Sequence, residues 1–107
     1  MNPDTTVTLI KRGESQRDAF GNAYYPETLR TVFAQKKAVR QSEYFQAAAV
    51  GFKPEIVLEV YGFEYQNETL CELDGERFTI YREYPIKGTD RVELYLTAIV
   101  GDTNAFA

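Results

Sequence analysis

Apolar and polar residues alternate with a period of two along most of this chain, and this feature constrains the fold more than any other. The alternation is clearest over residues 91–100, where Val92, Leu94 and Leu96 alternate with Glu93, Tyr95 and Thr97. Less regular versions occupy residues 5–10, 27–39, 55–62, 70–73 and 77–84. This period is typical of β-strands with one buried face. About six strands without crossover helices predict a mainly β fold, a small antiparallel β-barrel or sandwich.

Turn-forming residues separate the predicted strands. The dipeptide Asp74-Gly75 lies between two apolar runs and predicts a tight hairpin. Residues 11–26 contain Gly13, Gly21 and Pro26 and predict a long loop, with Phe20, Tyr24 and Tyr25 as its apolar anchors.

Residues 40–51 differ in kind and predict one short helix between the second and third strands. Ser42 is expected to cap its start, alanines to extend it and Gly51 to end it. Pro54 prevents its continuation. A buried stripe of Tyr44 with Ala48, or of Phe45 with Ala49, would dock such a helix on the barrel. A helix of about nine residues is marginal in water, so the segment must dock or change its order.

The amino-acid composition limits which catalytic and metal-binding sites this chain can form. The chain has no histidine, so imidazole bases, Ser-His dyads and histidine metal ligands are excluded. The single cysteine, Cys71, cannot form a disulfide within the chain and is interpreted as a small buried apolar residue. The carboxylates of Glu72, Asp74 and Glu76 are interpreted as a solvated hairpin tip rather than a metal site. We therefore expect no enzymatic activity, no metal and no cofactor.

The termini and the hydropathy carry further expectations. No apolar run approaches the ~20 residues of a membrane-spanning helix, and residues 1–8 lack the apolar core of a signal peptide. A reducing cytosolic setting is the default expectation. The chain is expected to form one domain over residues 1–107, with residues 101–107 as a flexible tail.

Charge is unevenly distributed. Residues 1–40 carry a net charge of +3 and residues 41–107 a net charge of −7. A molecule with two charged faces can stack head to tail, although a chance difference between the halves is an equal alternative. We predict a basic face formed by Lys11, Arg12, Lys36 and Lys37, with Arg17 and Arg40 able to extend the stripe. The sequence pI of 4.8 opposes strong binding to phosphates.

The order of several segments resembles a known family. It begins with Thr-Leu-Ile-Lys-Arg-Gly at residues 8–13 and Asp-Ala-Phe-Gly-Asn at 18–22. It continues with Val-Phe-Ala at 32–34, the run from Val39 to Ala49, and Gly-Phe-Lys-Pro-Glu at 51–55. It ends with residues 74–82, Asp-Gly-Glu-Arg-Phe-Thr-Ile-Tyr-Arg, and Leu-Tyr-Leu-Thr at 94–97. Over nearly the whole chain this resembles the head-closure (head–tail adaptor or stopper) proteins of long-tailed bacteriophages and of prophages in Gram-positive bacteria.

The resemblance implies a structural virion protein with a small β-barrel fold, without cofactor or turnover. Copies would form a dodecameric ring that docks below the portal and its adaptor, closes the DNA channel after packaging and presents a surface to the tail. Members can be monomeric alone. DNA would pass through without specific binding, and the protein would lie at the virion neck after assembly in the bacterial host cytoplasm, away from membranes.

The family associates the excursion between the second and third strands with the channel and with subunit contacts. In this chain the excursion is residues 40–54. We therefore predict a set of residues that contact the neighbouring subunit or line the channel: Arg40, Gln41, Ser42, Glu43, Tyr44, Phe45 and Gln46.

Two alternatives remain open at this point. One is another ring protein of the neck or tail end, such as a tail terminator. The other is a small β-barrel that binds single-stranded nucleic acid through its aromatic residues. Docking to filled heads or to free tails, and salt-sensitive binding to oligonucleotides, would separate them.

Overall fold

A computed structural model describes residues 2–98 and confirms the mainly β architecture. Six antiparallel strands close into a barrel in the order β1–β4–β5–β8–β7–β6. The strands of the barrel are β1 (Thr5–Arg12), β4 (Glu27–Lys37), β5 (Pro54–Tyr61), β6 (Leu70–Leu73), β7 (Glu76–Pro85) and β8 (Arg91–Ala98). The helix α1 (Gln41–Ala49) lies between β4 and β5, the second and third barrel strands, as predicted.

The side chains that point inward from each strand fill the barrel. Val7 and Leu9 from β1 meet Val32 and Ala34 from β4, and all four are at most 5% exposed. Leu58, Leu94 and Leu96, which are fully buried, fill the opposite side. The inward phase predicted for β8 is confirmed by the buried Leu94 and Leu96, because one face of a closed barrel must be filled by side chains. Phe33 and Leu29 of β4 lie outside this core and are 60% and 58% exposed.

The predicted hairpin between β6 and β7 is confirmed. Asp74 and Gly75 both have positive φ angles, 52° and 82°, and Leu73 faces Glu76 across the turn. Two adjacent residues of positive φ are what a two-residue hairpin of matching twist requires. Cys71 on β6 is completely buried, and burial raises the pKa of its thiol to about 12, which agrees with its interpretation as an apolar core residue.

Part of the predicted loop at 11–26 is ordered as a second small hairpin. Its strands β2 (Gln16–Arg17) and β3 (Ala23–Tyr24) form a two-stranded sheet separate from the barrel. Phe20, Tyr24 and Tyr25, expected as anchors, are 90%, 45% and 58% exposed. They therefore do not anchor the loop to the core.

Two details of α1 correct the sequence-based prediction. The residue that precedes the helix is Arg40 rather than Ser42, and no side chain caps the helix start. The buried positions are Glu43 and Ala47, so neither predicted stripe is right: Tyr44 is 46% and Phe45 69% exposed. The end is as predicted, since Gly51 has a φ of +85° and the next residue, Phe52, donates its N–H to Ala47 at 2.8 Å.

The remaining predictions concern segments near the termini. The flexible tail expected at 101–107, and the last two residues of the strand expected over 91–100, lie outside the described residues. Within residues 2–98, no helix is both long enough and apolar enough to cross a membrane.

Candidate functional site: helix α1 and the ion-pair network beneath it

The helix α1 is amphipathic in the reverse of the usual sense. Its buried face contains Glu43 and Ala47, whereas Tyr44, Phe45 and the adjacent Val50 are exposed. A helix on the surface of a globular protein normally buries its apolar stripe and exposes its charges. The exposed apolar side of α1 is therefore not explained by packing within this chain.

Glu43 fastens α1 to the outer face of the barrel. Its carboxylate accepts a hydrogen bond of 2.7 Å from the hydroxyl of Tyr81 and one of 2.9 Å from the guanidinium of Arg82. Arg82 also donates to the side chain of Gln46, one turn further along α1, at 3.0 Å. Burial and the bond to Glu43 raise the pKa of Tyr81, so its hydroxyl remains a donor across the ordinary pH range. These bonds hold a short helix in one place.

A β-bulge allows two neighbouring residues to reach the same carboxylate. The pairing of β7 with β8 shifts between Ile80 and Arg82, which leaves Tyr81 as the extra residue. In a regular strand, Tyr81 and Arg82 would point to opposite faces of the sheet. The bulge brings both to Glu43. Phe52, just after α1, stacks on the Tyr81 ring with centroids 4.9 Å apart and reinforces the attachment.

A second cluster of charges lies beside α1 on β5 and β8. Glu59 and Glu93 are directly opposite each other across the two strands, and they are only 7% and 4% exposed. Lys37 bridges them, with its ammonium 3.3 Å from Glu59 and 2.6 Å from Glu93. Two like charges in this arrangement repel each other unless a cation lies between them. Lys37, the last residue of β4, supplies that cation.

Further groups complete this cluster. Arg91 lies 3.2 Å from Glu59 in an ion pair whose Nε–H makes no aligned hydrogen bond. The Tyr95 hydroxyl donates to Glu93 at 3.0 Å, and Arg40 approaches Glu93 at 3.8 Å. Since Arg40 directly precedes α1, the two clusters meet at the helix start.

The pKa shifts agree with this geometry. Burial raises the pKa of Glu93, but bonds from Lys37 and Tyr95 outweigh burial and leave the pKa below its usual value. The bond to Glu93 raises the pKa of Lys37 against the opposing effect of burial. Burial and the bond to Glu93 also raise the pKa of Tyr95 to about 12. Lys37 and Glu93 therefore remain charged at neutral pH, and Tyr95 remains a donor.

Two shallow grooves flank the start of α1, with volumes of about 180 and 140 Å³. Arg40 and Tyr84 line both of them. In these grooves Lys37 and Arg40 are paired with Glu93, and Arg82 is paired with Glu43. Residues 2–98 contain no group of three or more side chains suited to a metal ion. The arrangement is suited to fixing the position of α1 and its exposed aromatic residues.

The predicted contact residues are thus close together but differ in their surroundings. Gln41, Ser42, Tyr44, Phe45 and Gln46 are exposed, as is Arg40. Glu43 is buried and bonded within the chain. The assignment of this set to subunit contact or channel lining stays a prediction.

The four residues of the predicted basic face lie in two places. Lys11 and Arg12 pair with Thr28 and Glu27 at the start of β4, whereas Lys36 and Lys37 end it. The separation along the strand is roughly 25–30 Å. Lys36 and Lys37 also have different partners, since the Lys36 ammonium bonds Asp74 at 3.0 Å. The structure does not bring the four together.

Much of the uneven charge along the sequence is balanced by ion pairs within the chain. Four basic residues of the first forty pair with carboxylates from beyond residue 41. The pairs are Arg30 with Glu68, Lys36 with Asp74, Lys37 with Glu59 and Glu93, and Arg40 with Glu93. The charge difference between the halves of the sequence thus contributes to contacts within one chain.

Sequence reasoning missed the partners of α1, namely Tyr81, Arg82 and Tyr95, and the carboxylates Glu59 and Glu93. The sequence did contain one indication of this covered surface, among the residues that the alternation places on the solvent face. Val57 and Tyr95 flank these carboxylates in the phase assigned to solvent, yet they are 2% and 6% exposed. Apolar residues in the outward phase of two adjacent strands indicate that a further element covers the sheet.

The shifted pKa values predict how stability depends on pH. Arg77 and Arg12 lower the pKa of Glu27, and bonds to Arg30 and to the N–H of Gln66 lower that of Glu68 despite its burial. With Glu93, these groups contribute stability that is present above pH 4.5 and is lost as the pH falls through their lowered pKa values. Urea denaturation should give a midpoint that falls steeply below pH 4.5.

At the alkaline end the sign is opposite. The raised pKa values of Cys71, Lys37 and Tyr95 predict loss of stability as the pH rises above about 9, where the unfolded thiol ionises first. Between about pH 6 and 8.5 the midpoint should be flat, because the chain has no histidine. A clear slope within that window would contradict this assignment of charges.

Comparison with known proteins identifies a fold and no family. No protein-family model matches the chain, and no curated protein sequence matches it significantly. The structure is similar to the solution structure of protein SF1141 from Shigella flexneri 2a, with a TM-score of 0.69 and 15% sequence identity. The match covers 95% of this chain and 100% of that one. At this identity the likeness shows that the two chains share a fold over essentially their whole lengths.

Proposed function

We propose that this chain is a structural subunit of a bacteriophage neck, in which copies form a ring below the portal and adaptor. The ring would close the DNA channel after packaging and offer a surface for tail attachment. The order of segments described above supports this proposal, as does the small barrel with its helix after the second barrel strand. The role involves no turnover and no cofactor.

The reversed polarity of α1 is the observation that carries the proposal. Tyr44 and Phe45 on α1, and Val50 directly after it, are exposed apolar side chains that the chain itself does not cover. Exposed apolar clusters on a small protein mark surfaces for other proteins, and aromatic side chains are enriched in such interfaces. A neighbouring copy in a ring is the partner we propose for this surface.

The network beneath α1 supports the same role. Glu43, Tyr81 and Arg82 fix the helix before any partner binds. A contact surface that is already ordered does not lose conformational entropy on binding, so a small area can give useful affinity. The sequence-based expectation that α1 is marginal alone is compatible with this arrangement, because polar bonds to β7 replace an apolar core contact.

Electrostatics is compatible with a channel that DNA crosses. The formal net charge is −4, and several cations are paired with carboxylates of the same chain. Binding to phosphates without sequence preference requires clustered cations that are free to replace counterions. We therefore propose that DNA passes this protein without binding tightly to it.

Electron microscopy after gene deletion tests the proposal. The coding gene would be deleted from the genome that carries it, and particles would be compared with those of the parent and of a complemented strain. Empty or leaking heads beside complete, unattached tails are the expected result. Intact infectious virions from the deletion strain would refute the role.

Two alternatives make different predictions in related assays. A tail terminator would bind free tails, whereas a closure protein should bind DNA-filled heads that lack it. A single-stranded nucleic-acid binder would bind oligonucleotides in a salt-sensitive way near physiological ionic strength. The exposed Phe33 and the stacked pair Tyr61–Phe63 could serve base stacking, but Lys36 and Lys37 are engaged with carboxylates. We favour the neck subunit for that reason.

A further inference from the structure

The hairpin formed by residues 13–26 projects from the barrel as an arm. It continues the ribbon made by β1 and β4 past the last contacts of this ribbon with other strands. β6 pairs with β1 only as far as Ile10, and β5 pairs with β4 only from Gln35 onward. Every residue from 11 to 25 is exposed. The arm therefore contributes little to the core.

The tip of the arm is nevertheless well ordered. The Asp18 carboxylate accepts the backbone N–H groups of Phe20 and Asn22 at 2.8 and 2.9 Å. The Asp18 backbone bonds those of Asn22 and Gly21, and Arg17 donates to the Gly21 carbonyl at 2.9 Å. Gly21 has a φ of +82°, which a residue with a side chain would adopt only with strain. These contacts fix the backbone that carries the Phe20 ring, which is itself 90% exposed.

The base of the arm is clamped as well. The N–H of Gly13 donates to the Pro26 carbonyl at 2.7 Å, and a Cβ at Gly13 would lie only 3.3 Å from the Pro26 ring. Glu27, directly after the arm, accepts hydrogen bonds from Arg12 on β1 and from Arg77 on β7. The arm thus holds a fixed direction relative to the barrel.

An exposed aromatic ring on an ordered support is a typical anchor of a protein interface. Anchors of this kind fill a pocket on the partner, and their contribution is large when neither side must be reordered. Phe20 gains nothing from its position within this chain, because it is almost completely solvated. Its ring is therefore available to a partner on another molecule.

We propose that Phe20 of one copy inserts into a groove at the opposite end of the β1–β4 ribbon of a second copy. This inference rests on the proposed ring and names a contact in it that is separate from the one proposed for α1. The groove is shallow and open to solvent, has a volume of about 360 Å³ and is lined by Pro3, Asp4, Thr5, Thr6 and Phe33. Phe33 is 60% exposed and supplies an apolar surface for the incoming ring.

Charge supports this pairing. Next to the tip, Arg17 donates to the Gly21 carbonyl and forms no ion pair with a carboxylate within residues 2–98. Asp4, in the wall of the groove, is exposed. An arm that carries an unpaired cation and a groove that carries an anion attract each other and set the orientation of docking.

The position of the two elements determines the type of assembly. The arm extends from the Arg12–Glu27 end of the ribbon, and the groove lies near its Thr5–Ala34 end, roughly 23 Å away along the strands. A contact between two different patches is heterologous. A bound pair of copies therefore still carries one free arm and one free groove. Such a contact generates a ring if the rotation between copies closes.

Complementary variants test the contact. Phe20→Ser removes the anchor and leaves the groove, whereas Phe33→Ser alters the groove and leaves the arm. Sedimentation velocity of the full chain up to about 1 mM, the weak end of measurable affinity, should show self-association of the wild type. We expect it to be at least about tenfold weaker in either variant alone. An equal mixture of the two should recover association as heterodimers through this contact, because each such pair contains one intact arm and one intact groove.

The control is Phe63→Ser. Phe63 is 73% exposed and lies in neither the arm nor the groove, so this variant should associate as the wild type does. A wild type that stays monomeric up to about 1 mM, or variants that associate normally, would overturn the inference. A mixture that remains monomeric would do the same. Loss of the arm contact alone would not change the gene-deletion result, so it would overturn this inference and leave the proposed neck role standing. Normal virions from the deletion strain, together with an intact arm contact, would reject the neck role and leave the contact standing.

Discussion

Replacing Lys37 by methionine is expected to lower the free energy of unfolding by roughly 2–4 kcal/mol. The Lys37 ammonium lies between the carboxylates of Glu59 and Glu93, which face each other across β5 and β8 and are almost fully buried. Methionine keeps much of the volume but leaves two adjacent negative charges with less compensation. The effect is placed below that of a fully buried pair because Lys37 keeps 32% of its side chain exposed.

Lys36→Met is the matched control for that experiment. Lys36 is the preceding residue of the same strand, and its partner Asp74 is 67% exposed, so the loss should stay below about 1 kcal/mol. Urea denaturation at pH 7 would compare the two variants. Adding Glu59→Gln to Lys37→Met should recover part of the stability, because it removes one of the two facing charges. Equal effects of the two lysine variants would contradict the proposed bridge.

The double variant Tyr44→Ala/Phe45→Ala is expected to abolish assembly on the neck while the isolated barrel remains folded. Both side chains are exposed, and alanine favours the helical conformation, so stability should change by no more than about 0.5 kcal/mol. Assembly should be lost because the apolar surface of α1 is removed. Co-sedimentation with heads from the deletion strain measures the first effect, and urea denaturation measures the second.

Phe63→Ser is again the appropriate control, since it removes an exposed phenylalanine from the opposite end of β5. It should bind heads as the wild type does. If the double variant unfolds, α1 belongs to the folding core and the assignment is wrong. If the double variant folds and still binds, the exposed face of α1 is not the contact.

The barrel could be predicted because local and global requirements agree in its strands. The alternation in β8 and the Asp74-Gly75 turn each specify a conformation from neighbouring residues alone. The position of the helix could be predicted for a similar reason, since Gly51 and Pro54 end it wherever it docks.

The orientation of α1 could not be predicted, because it depends on residues far away in the sequence. Glu43 is buried only since Tyr81 and Arg82, nearly forty residues later, provide its bonds, and the bulge that aligns them has no clear local signal. From periodicity alone, an aromatic stripe would be assigned to the core. The same holds for Lys37, whose partners come from β5 and β8.

Complementation of a deletion lysate tests the central claim most directly. Purified wild-type chain, the Tyr44→Ala/Phe45→Ala variant or the Phe63→Ser variant would be added to a lysate that contains heads and tails but lacks this protein. We expect that the wild type and Phe63→Ser restore joined head–tail particles and that the α1 variant does not. Failure of the folded wild-type chain to restore joining, or equal rescue by the α1 variant, would contradict this claim.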